Sequence, residues 1–263
     1  MASLGTALVT GASSGIGATY ADRLAKRGYD LVLVARDRQR LEALAARLTA
    51  EAGVAVEVLT ADLTERSDVR RVEDRIRADA AITLVVNNAG MVSPTPLIEA
   101  DIDELETMIE LNVVAAHRLA VAASQVFAKR GKGTIVNIAS VVALIPEQFH
   151  GTYNATKAFI LNLTQSLNVE AAPHGVRVQA VLPGLTRTEI FDRAGSSFDR
   201  FPPDRVMDVG DLVDAALAGL DQGETITVPS LPDTADWQVL TAARLALGPN
   251  LSRAKPAARY GVA

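Results

Sequence analysis

Apolar positions recur along this chain in two rhythms. Short β-branched runs at 6–10, 30–35, 54–60, 84–87, 134–138, 177–181 and 225–228 alternate with longer segments of helical period. In the helical segments Leu41, Leu44, Ala45 and Leu48 fall at i, i+3, i+4 and i+7, and Val69, Val72 and Ile76 repeat the stripe. Such alternation builds βαβ units, so the pattern predicts an α/β fold with a doubly wound, seven-stranded parallel sheet flanked by helices.

Two helical segments, 101–129 and 153–172, are apolar over a wider arc than one sheet-facing stripe requires. Each is expected to bury a second face against another subunit, in a homo-oligomer that is a dimer or a tetramer. The region 186–208, "TRTEIFDRAGSSFDRFPPDRVMD", loses periodicity and reads as a binding loop or lid. One amphipathic helix at 237–247 and a tail containing Pro and Arg follow it.

Composition narrows the classes. Of 263 residues, 49% are hydrophobic and 22% charged, the balance of a globular chain with a sizeable core. A net charge of −5 without any basic block argues against nucleic acid or an anionic membrane surface as partner. No cysteine is present, and His117, His150 and His174 are too scattered for a metal cluster. The N-terminus lacks the pattern of a signal segment, and no apolar run reaches the roughly 20 residues of a membrane span. The expectation is a cytoplasmic protein without a metal.

Chemistry first shows in "ALVTGASSGIG", where Gly11, Gly15 and Gly17 join the first strand to the first helix. Glycine permits positive φ and close approach to a ligand, and a helix N-terminus attracts phosphate, so the turn suits a dinucleotide's pyrophosphate. Thr10, Ser13 and Ser14 add hydroxyls. The spacing is GxxxGxG rather than the general GxGxxG fingerprint. Where an NAD site places an acidic residue after the second strand, this chain has Ala35 and then Arg36. A guanidinium pairs with a 2′-phosphate that a carboxylate would repel, which favours NADP(H), although the glycine turn has no Lys or Arg to add a second contact.

In "TYNATKAF", Tyr153 and Lys157 lie four apart and share one helix face. Alone, the lysine reads equally well as a surface residue snorkelling along its helix. Taken together, "TGASSGIG", "NNAG" (87–90), Asn112, Ser140 and the YxxxK of Tyr153 and Lys157 make the chain closely resemble the short-chain dehydrogenase/reductase family, in its subgroup of about 250 residues, over about residues 5–228. The resemblance implies a Rossmann-type fold, with residues 1–230 as the NADP-binding catalytic domain including the loop 186–208, and 231–263 as a C-terminal helix and tail.

The resemblance also assigns roles. Asn112, Ser140, Tyr153 and Lys157 match the catalytic set: Tyr153 the acid/base, Lys157 its electrostatic partner, Ser140 the orienter of the substrate oxygen, and Asn112 the support of a proton relay. Asn112 could instead be only a satisfied core amide. Gly11, Ser13, Ser14, Gly15, Ile16 and Gly17 match the phosphate turn, and Asp62 and Leu63 the adenine contact, though Asp62 could also cap the helix ahead of Glu65. Asn88, Ala89 and Gly90 match the strip beside the ribose, and Asn87 the brace of the sheet. In "PGLTRT", Pro183, Gly184, Thr186 and Thr188 match the neighbours of the nicotinamide. The family's glycine-rich C-terminal segment is replaced by "VPSLPD" and a longer tail, which departs from its usual tetramer contact.

A free phenol titrates near 10, so Tyr153 needs Lys157 and an oxidised nicotinamide nearby to lower its pKa. Ala143, Leu144, Ile145, Phe149, Leu185 and Phe191 are the apolar residues near the site, with Glu147, Gln148 and His150 as polar exceptions. The expected activity is NADP(H)-dependent interconversion of a lipophilic ketone or aldehyde and an alcohol. The alternatives are a 3-oxoacyl-thioester reductase and a non-catalytic NADP(H) sensor on the same fold.

Overall fold

The computed structural model describes residues 4–93, 95–148, 151–189 and 201–262. Contacts divide the chain into two units, Met1–Pro229 and Ser230–Ala263.

The first unit alternates strands and helices: β1 Thr6–Thr10, α1 Gly15–Lys26, β2 Asp30–Ala35, α2 Arg38–Ala52, β3 Val56–Thr60, α3 Arg66–Ala78 and β4 Ile82–Asn87. Then come α4 Ile102–Ile109, α5 Ala116–Arg130, β5 Gly133–Ile138, α6 Gly151–Ala171, β6 Val176–Val181, α7 Val209–Asp221 and β7 Ile226–Thr227. All seven strands run parallel in the order β3-β2-β1-β4-β5-β6-β7. The order reverses between β1 and β4, the topological switch point where parallel sheets of this kind hold ligands.

Why the sheet is stable follows from its strands' composition. β1 is buried at every position, so its alternate residues serve opposite faces. Ala7 and Val9 join a core with α1, α2 and α7, through Leu24, Leu41 and Leu217. Leu8 joins a second core with α3, α5 and α6, through Ile76, Leu119 and Leu167.

Strand ends differ from the sequence pattern by at most two residues. β3 begins at Val56 rather than 54, and β4 begins at Ile82, two residues earlier than the pattern suggests. β7 keeps only two paired residues. The segment 101–129 is not one regular helix: α4 passes through a π-helical turn, Glu110–Ala115, before α5. Ile102–Arg130 is long and apolar enough to cross a bilayer on length and composition alone. Here α5 packs on β4, β5, α3 and α6, which explains its apolar character as core packing.

In the second unit, α8 spans Thr234–Ala246, starting three residues before the periodicity suggests because Asp233 accepts from the Ala235 amide as N-cap. Short 3₁₀ turns follow at Gly248–Asn250 and Ala258–Tyr260.

Candidate active site

At the switch point a cleft of about 390 Å³ opens beyond the ends of β1, β2, β3 and β4, within the size range of small-molecule sites. The chain leaves β1 at Thr10, turns at Gly11 with φ +65° and enters α1 at Gly15, so the first turn of α1 borders the cleft. A Cβ on Gly17 would lie 2.3 Å from the Gly11 carbonyl oxygen and 2.5 Å from the Asn88 amide nitrogen. Only glycine lets turn, helix and β4 approach so closely. Asn88 Nδ2 donates to the Thr10 and Gly11 carbonyls at 2.8 and 3.3 Å, while Thr10 Oγ1 accepts from the amides of Asn88 and Ala89 at 2.9 and 3.0 Å. The phosphate-type cradle is thus fastened to the "NNAG" strip.

Arg36 and Asp62 stand at the ends of β2 and β3, on the cleft wall. Arg36 is 69% exposed in its side chain and 3.6 Å from Asp62, so the guanidinium is available to an anion. Asp62 Oδ1 accepts from the Thr64 amide and hydroxyl at 3.0 and 2.7 Å, which makes it a turn-capping residue that still faces the cleft. Desolvation opposes its charge, but the hydrogen bonds from Thr64 and the nearby Arg36 outweigh that and hold the carboxyl below its ordinary value. A glycine cradle at a helix N-terminus and a guanidinium beyond β2 fit a dinucleotide bearing a 2′-phosphate.

The second half of the site lies at the end of β5. Ser140 follows the strand; its Oγ accepts from the Val142 amide at 3.4 Å and donates to the Pro183 carbonyl at 3.3 Å. Tyr153, half-buried in the first turn of α6, stands near enough to Ser140 for that hydroxyl to favour its ionised form. One turn on, Lys157 is buried, with its Nζ 5.7 Å from the Tyr153 ring centre and donating to the Ile138 carbonyl at 2.9 Å. That ammonium lies 3.6 Å from where a Cβ on Gly90 would stand, so it looks toward the cleft strip.

Asn112 sits in the π-helical turn with its side chain consumed by three bonds. Its Oδ1 accepts from the Met91 amide at 2.8 Å, and its Nδ2 donates to the Met91 carbonyl at 2.8 Å and to Thr156 Oγ1 at 3.2 Å. Thr156 donates in turn to the Tyr153 carbonyl at 2.7 Å. Both side chains are buried, so the amide works as a clamp between the "NNAG" strip and α6. Asn87 has a similar bracing geometry, donating to the Ala116 carbonyl at 2.7 Å and to Asn137 at 3.3 Å.

Loss of solvation pushes the Tyr153 phenol up to about 12, against a lowering hydrogen bond from Ser140, and drives Lys157 down to about 8. The protein alone therefore moves Tyr153 in the direction opposite to that expected from the YxxxK pair. The physical reason is burial, which outweighs the lowering influence of the Ser140 hydroxyl, while the Lys157 ammonium is turned to the Ile138 carbonyl.

Of the residues singled out in the sequence, Gly11, Ser13, Ser14, Gly15, Ile16, Arg36, Asp62, Leu63, Asn88, Ala89, Gly90 and Thr188 line the cleft. Gly17, Pro183, Gly184 and Thr186 do not, nor do the four catalytic candidates Asn112, Ser140, Tyr153 and Lys157. Gly17 packs beneath the turn, Pro183 receives the Ser140 hydroxyl, Gly184 accepts from Thr186 Oγ1, and Thr186 is buried where it bridges to Met207. Sequence reasoning missed Asp37, Ala61, Leu111 and Glu189, which also line it. Asp37 directly follows Arg36 and could have been found; Glu189 carries no local signal. Leu144, Ile145 and Leu185 are half-buried, and Glu147 is exposed. Phe149, His150, Phe191 and the Gln148 side chain lie outside what the structure describes.

A family model described as short chain dehydrogenase matches residues 5–197. The chain belongs to the short-chain dehydrogenase/reductase family of oxidoreductases. Among solved structures it is similar to a short-chain dehydrogenase from Sphingobium yanoikuyae in complex with NADPH, at 52% identity and a TM-score of 0.94 over 97% of this chain and 98% of that one. It is also similar to the bulky-bulky ketone specific alcohol dehydrogenase from Comamonas testosteroni, at 46% identity and a TM-score of 0.90 over 98% of each chain. A curated relative, the very-long-chain 3-oxoacyl-CoA reductase of Anas platyrhynchos, is 34% identical over 75% of this chain, which spans 65% of that protein's length.

Proposed function

We propose that this chain is an NADP(H)-dependent reductase of bulky, lipophilic ketones or aldehydes, acting in the cytoplasm as a homo-oligomer and catalysing the reverse oxidation of the alcohol. The observation that carries the reading is the Tyr153 phenol beside Ser140, one helical turn from buried Lys157, at the end of a strand next to a cleft fit for a phosphorylated dinucleotide.

NADPH, when bound, supplies the hydride. The protein's own groups manage the charge that develops on the carbonyl oxygen. Ser140 donates a hydrogen bond to that oxygen and holds it against the phenol. Tyr153 gives up its proton to the same oxygen, and because burial keeps the phenol neutral at physiological pH, the donor is in the correct state before the reaction begins. Lys157, cationic below about pH 8, stabilises the tyrosinate that is left behind. Asn112, clamped by Met91 and Thr156, holds the "NNAG" strip in register with α6. On the cofactor side, Gly11, Ser13, Ser14, Gly15 and Ile16 take the pyrophosphate, Arg36 the 2′-phosphate, and Asp62 and Leu63 the adenine. Asn88, Ala89 and Gly90 flank the ribose, Thr188 and the segment 183–186 the nicotinamide, while Gly17 shapes the turn.

Substrate size is supported by Leu144, Ile145 and Leu185 and by the ketone-specific relative at 46% identity. The 34% identity to a 3-oxoacyl-CoA reductase favours acyl thioesters as a second reading. An absorbance assay of NADPH and NADH consumption over a carbonyl panel decides between them. Bulky ketones should be reduced with NADPH preferred, and Arg36→Ala should cut that preference by roughly tenfold or more, the loss of one charge-assisted contact. Activity on acyl thioesters alone would select the second reading, and cofactor binding with no turnover on any carbonyl would leave a nucleotide sensor.

The homo-oligomer is supported by apolar side chains left exposed on α4 to α6: Ile102 at 77%, Phe159 at 40% and Val169 at 75%. Light scattering should return a multiple of the chain mass; a monomer at micromolar concentration would reject it.

A further inference from the structure

Among the described residues, four charged side chains line the cleft: Arg36, Asp37, Asp62 and Glu189. Three of these are carboxylates, yet the ligand proposed for the cleft is polyanionic, and its 2′-phosphate brings nearly two further negative charges. Arg36 is already shared with Asp62 at 3.6 Å. On the lining alone the phosphate would meet more repulsion than attraction.

The missing positive charge stands one step behind the wall. Arg40, in the first turn of α2, donates from its NH1 to Glu189 at 2.7 Å, and its Nε lies 3.4 Å from Asp37. Glu189 reaches it because the segment 186–189 crosses the glycine turn, where Thr188 lies 3.3 Å from a Cβ position on Gly15. The base of this segment is pinned by the Thr186–Met207 bridge and the Arg187 amide's bond to the Met207 carbonyl at 3.0 Å.

We infer that Arg40 is a specificity-determining residue that sets the preference for a phosphorylated over an unphosphorylated nucleotide by neutralising Asp37 and Glu189, without itself lining the cleft. It supplies the second cation that the glycine turn lacks. The inference rests on the NADP(H) reading above.

The effect is electrostatic, so its size and form follow from charge alone. A unit charge acting from behind one intervening side chain in a half-solvated site changes binding by about fivefold, and the change shrinks as salt rises. The test is direct titration of NADPH and NADH binding by calorimetry, in the parent protein and in Arg40→Gln, Arg40→Lys, Glu189→Gln and the double variant Arg40→Gln/Glu189→Gln. Arg40→Gln should lower the NADPH-to-NADH affinity ratio about fivefold while leaving NADH binding nearly unchanged. Arg40→Lys should retain the ratio, and adding Glu189→Gln to Arg40→Gln should recover most of it.

An unchanged ratio in Arg40→Gln overturns the inference while leaving the cofactor reading intact. A fallen ratio that Glu189→Gln does not recover also overturns it, because the arginine would then bind the phosphate directly. A parent protein with no preference for NADPH removes the cofactor reading and this inference with it.

Discussion

Replacing Tyr153 with Phe is expected to lower kcat for ketone reduction by at least about 10³, within the span of general acid catalysis, while NADPH affinity stays within about twofold. The two outcomes separate because the phenol oxygen is the only atom removed. The ring that packs in the first turn of α6 remains, and so do the glycine cradle and Arg36, which lie on other elements of the cleft. Ser140 loses a partner but keeps its bonds with the Pro183 carbonyl and the Val142 amide, so its placement should survive. Single-turnover absorbance at saturating NADPH, run beside a binding titration, makes the comparison. A variant that keeps more than about a tenth of parental turnover would move the proton donor elsewhere.

Lys157→Met should divide activity from stability more sharply. Burial lowers this ammonium from 10.5 to about 8, so the unfolded chain holds its proton more tightly than the folded one. Stability on this account rises as pH climbs from about 8 to above 10.5, and the full penalty, about 3 kcal/mol, is carried below pH 8. Methionine removes that penalty but leaves the Ile138 carbonyl without its donor, which costs about 1 kcal/mol. Denaturant unfolding at pH 7 should therefore show a gain of about 2 kcal/mol that shrinks above pH 8 and becomes a loss of about 1 kcal/mol above pH 10.5. Turnover should fall by about 10² or more, since the tyrosinate formed after proton transfer loses the nearby Lys157 ammonium. In the parent protein, reduction should decline as pH rises through about 8, where the ammonium loses its proton; in the variant that decline should vanish. A methionine variant less stable than the parent at pH 7 would show that Lys157 holds the fold together.

Much of this architecture can be read in advance because its causes are local. Val32, Leu33 and Val34 read as a strand because a short, continuously apolar run is the pattern of a parallel strand buried on both faces. Leu41, Ala45 and Leu48 turn inward on α2 as their spacing requires. Tyr153 and Lys157 are legible because a spacing of four puts them on one helix face, and Ser140 is legible through the family resemblance.

Other features depend on what meets across the fold. Glu189 shows no pattern among its neighbours in sequence; it matters because Arg40, far away in the chain, stands opposite. The π-helical turn at Glu110–Ala115 is equally silent, since the segment has ordinary helical composition and its distortion belongs with the Asn112 clamp onto Met91 and Thr156. The direction of the Tyr153 shift was not legible either, because a phenol's solvation is decided by packing from other elements.

The rung between Thr186 and Met207 has an evolutionary consequence. A polymer excursion whose two ends are tied together can be lengthened, shortened or rewritten with little penalty, about 0.6 kcal/mol for each doubling of its length. Insertions and deletions between those two tied positions are thus expected to accumulate over time while the parallel sheet stays unstrained.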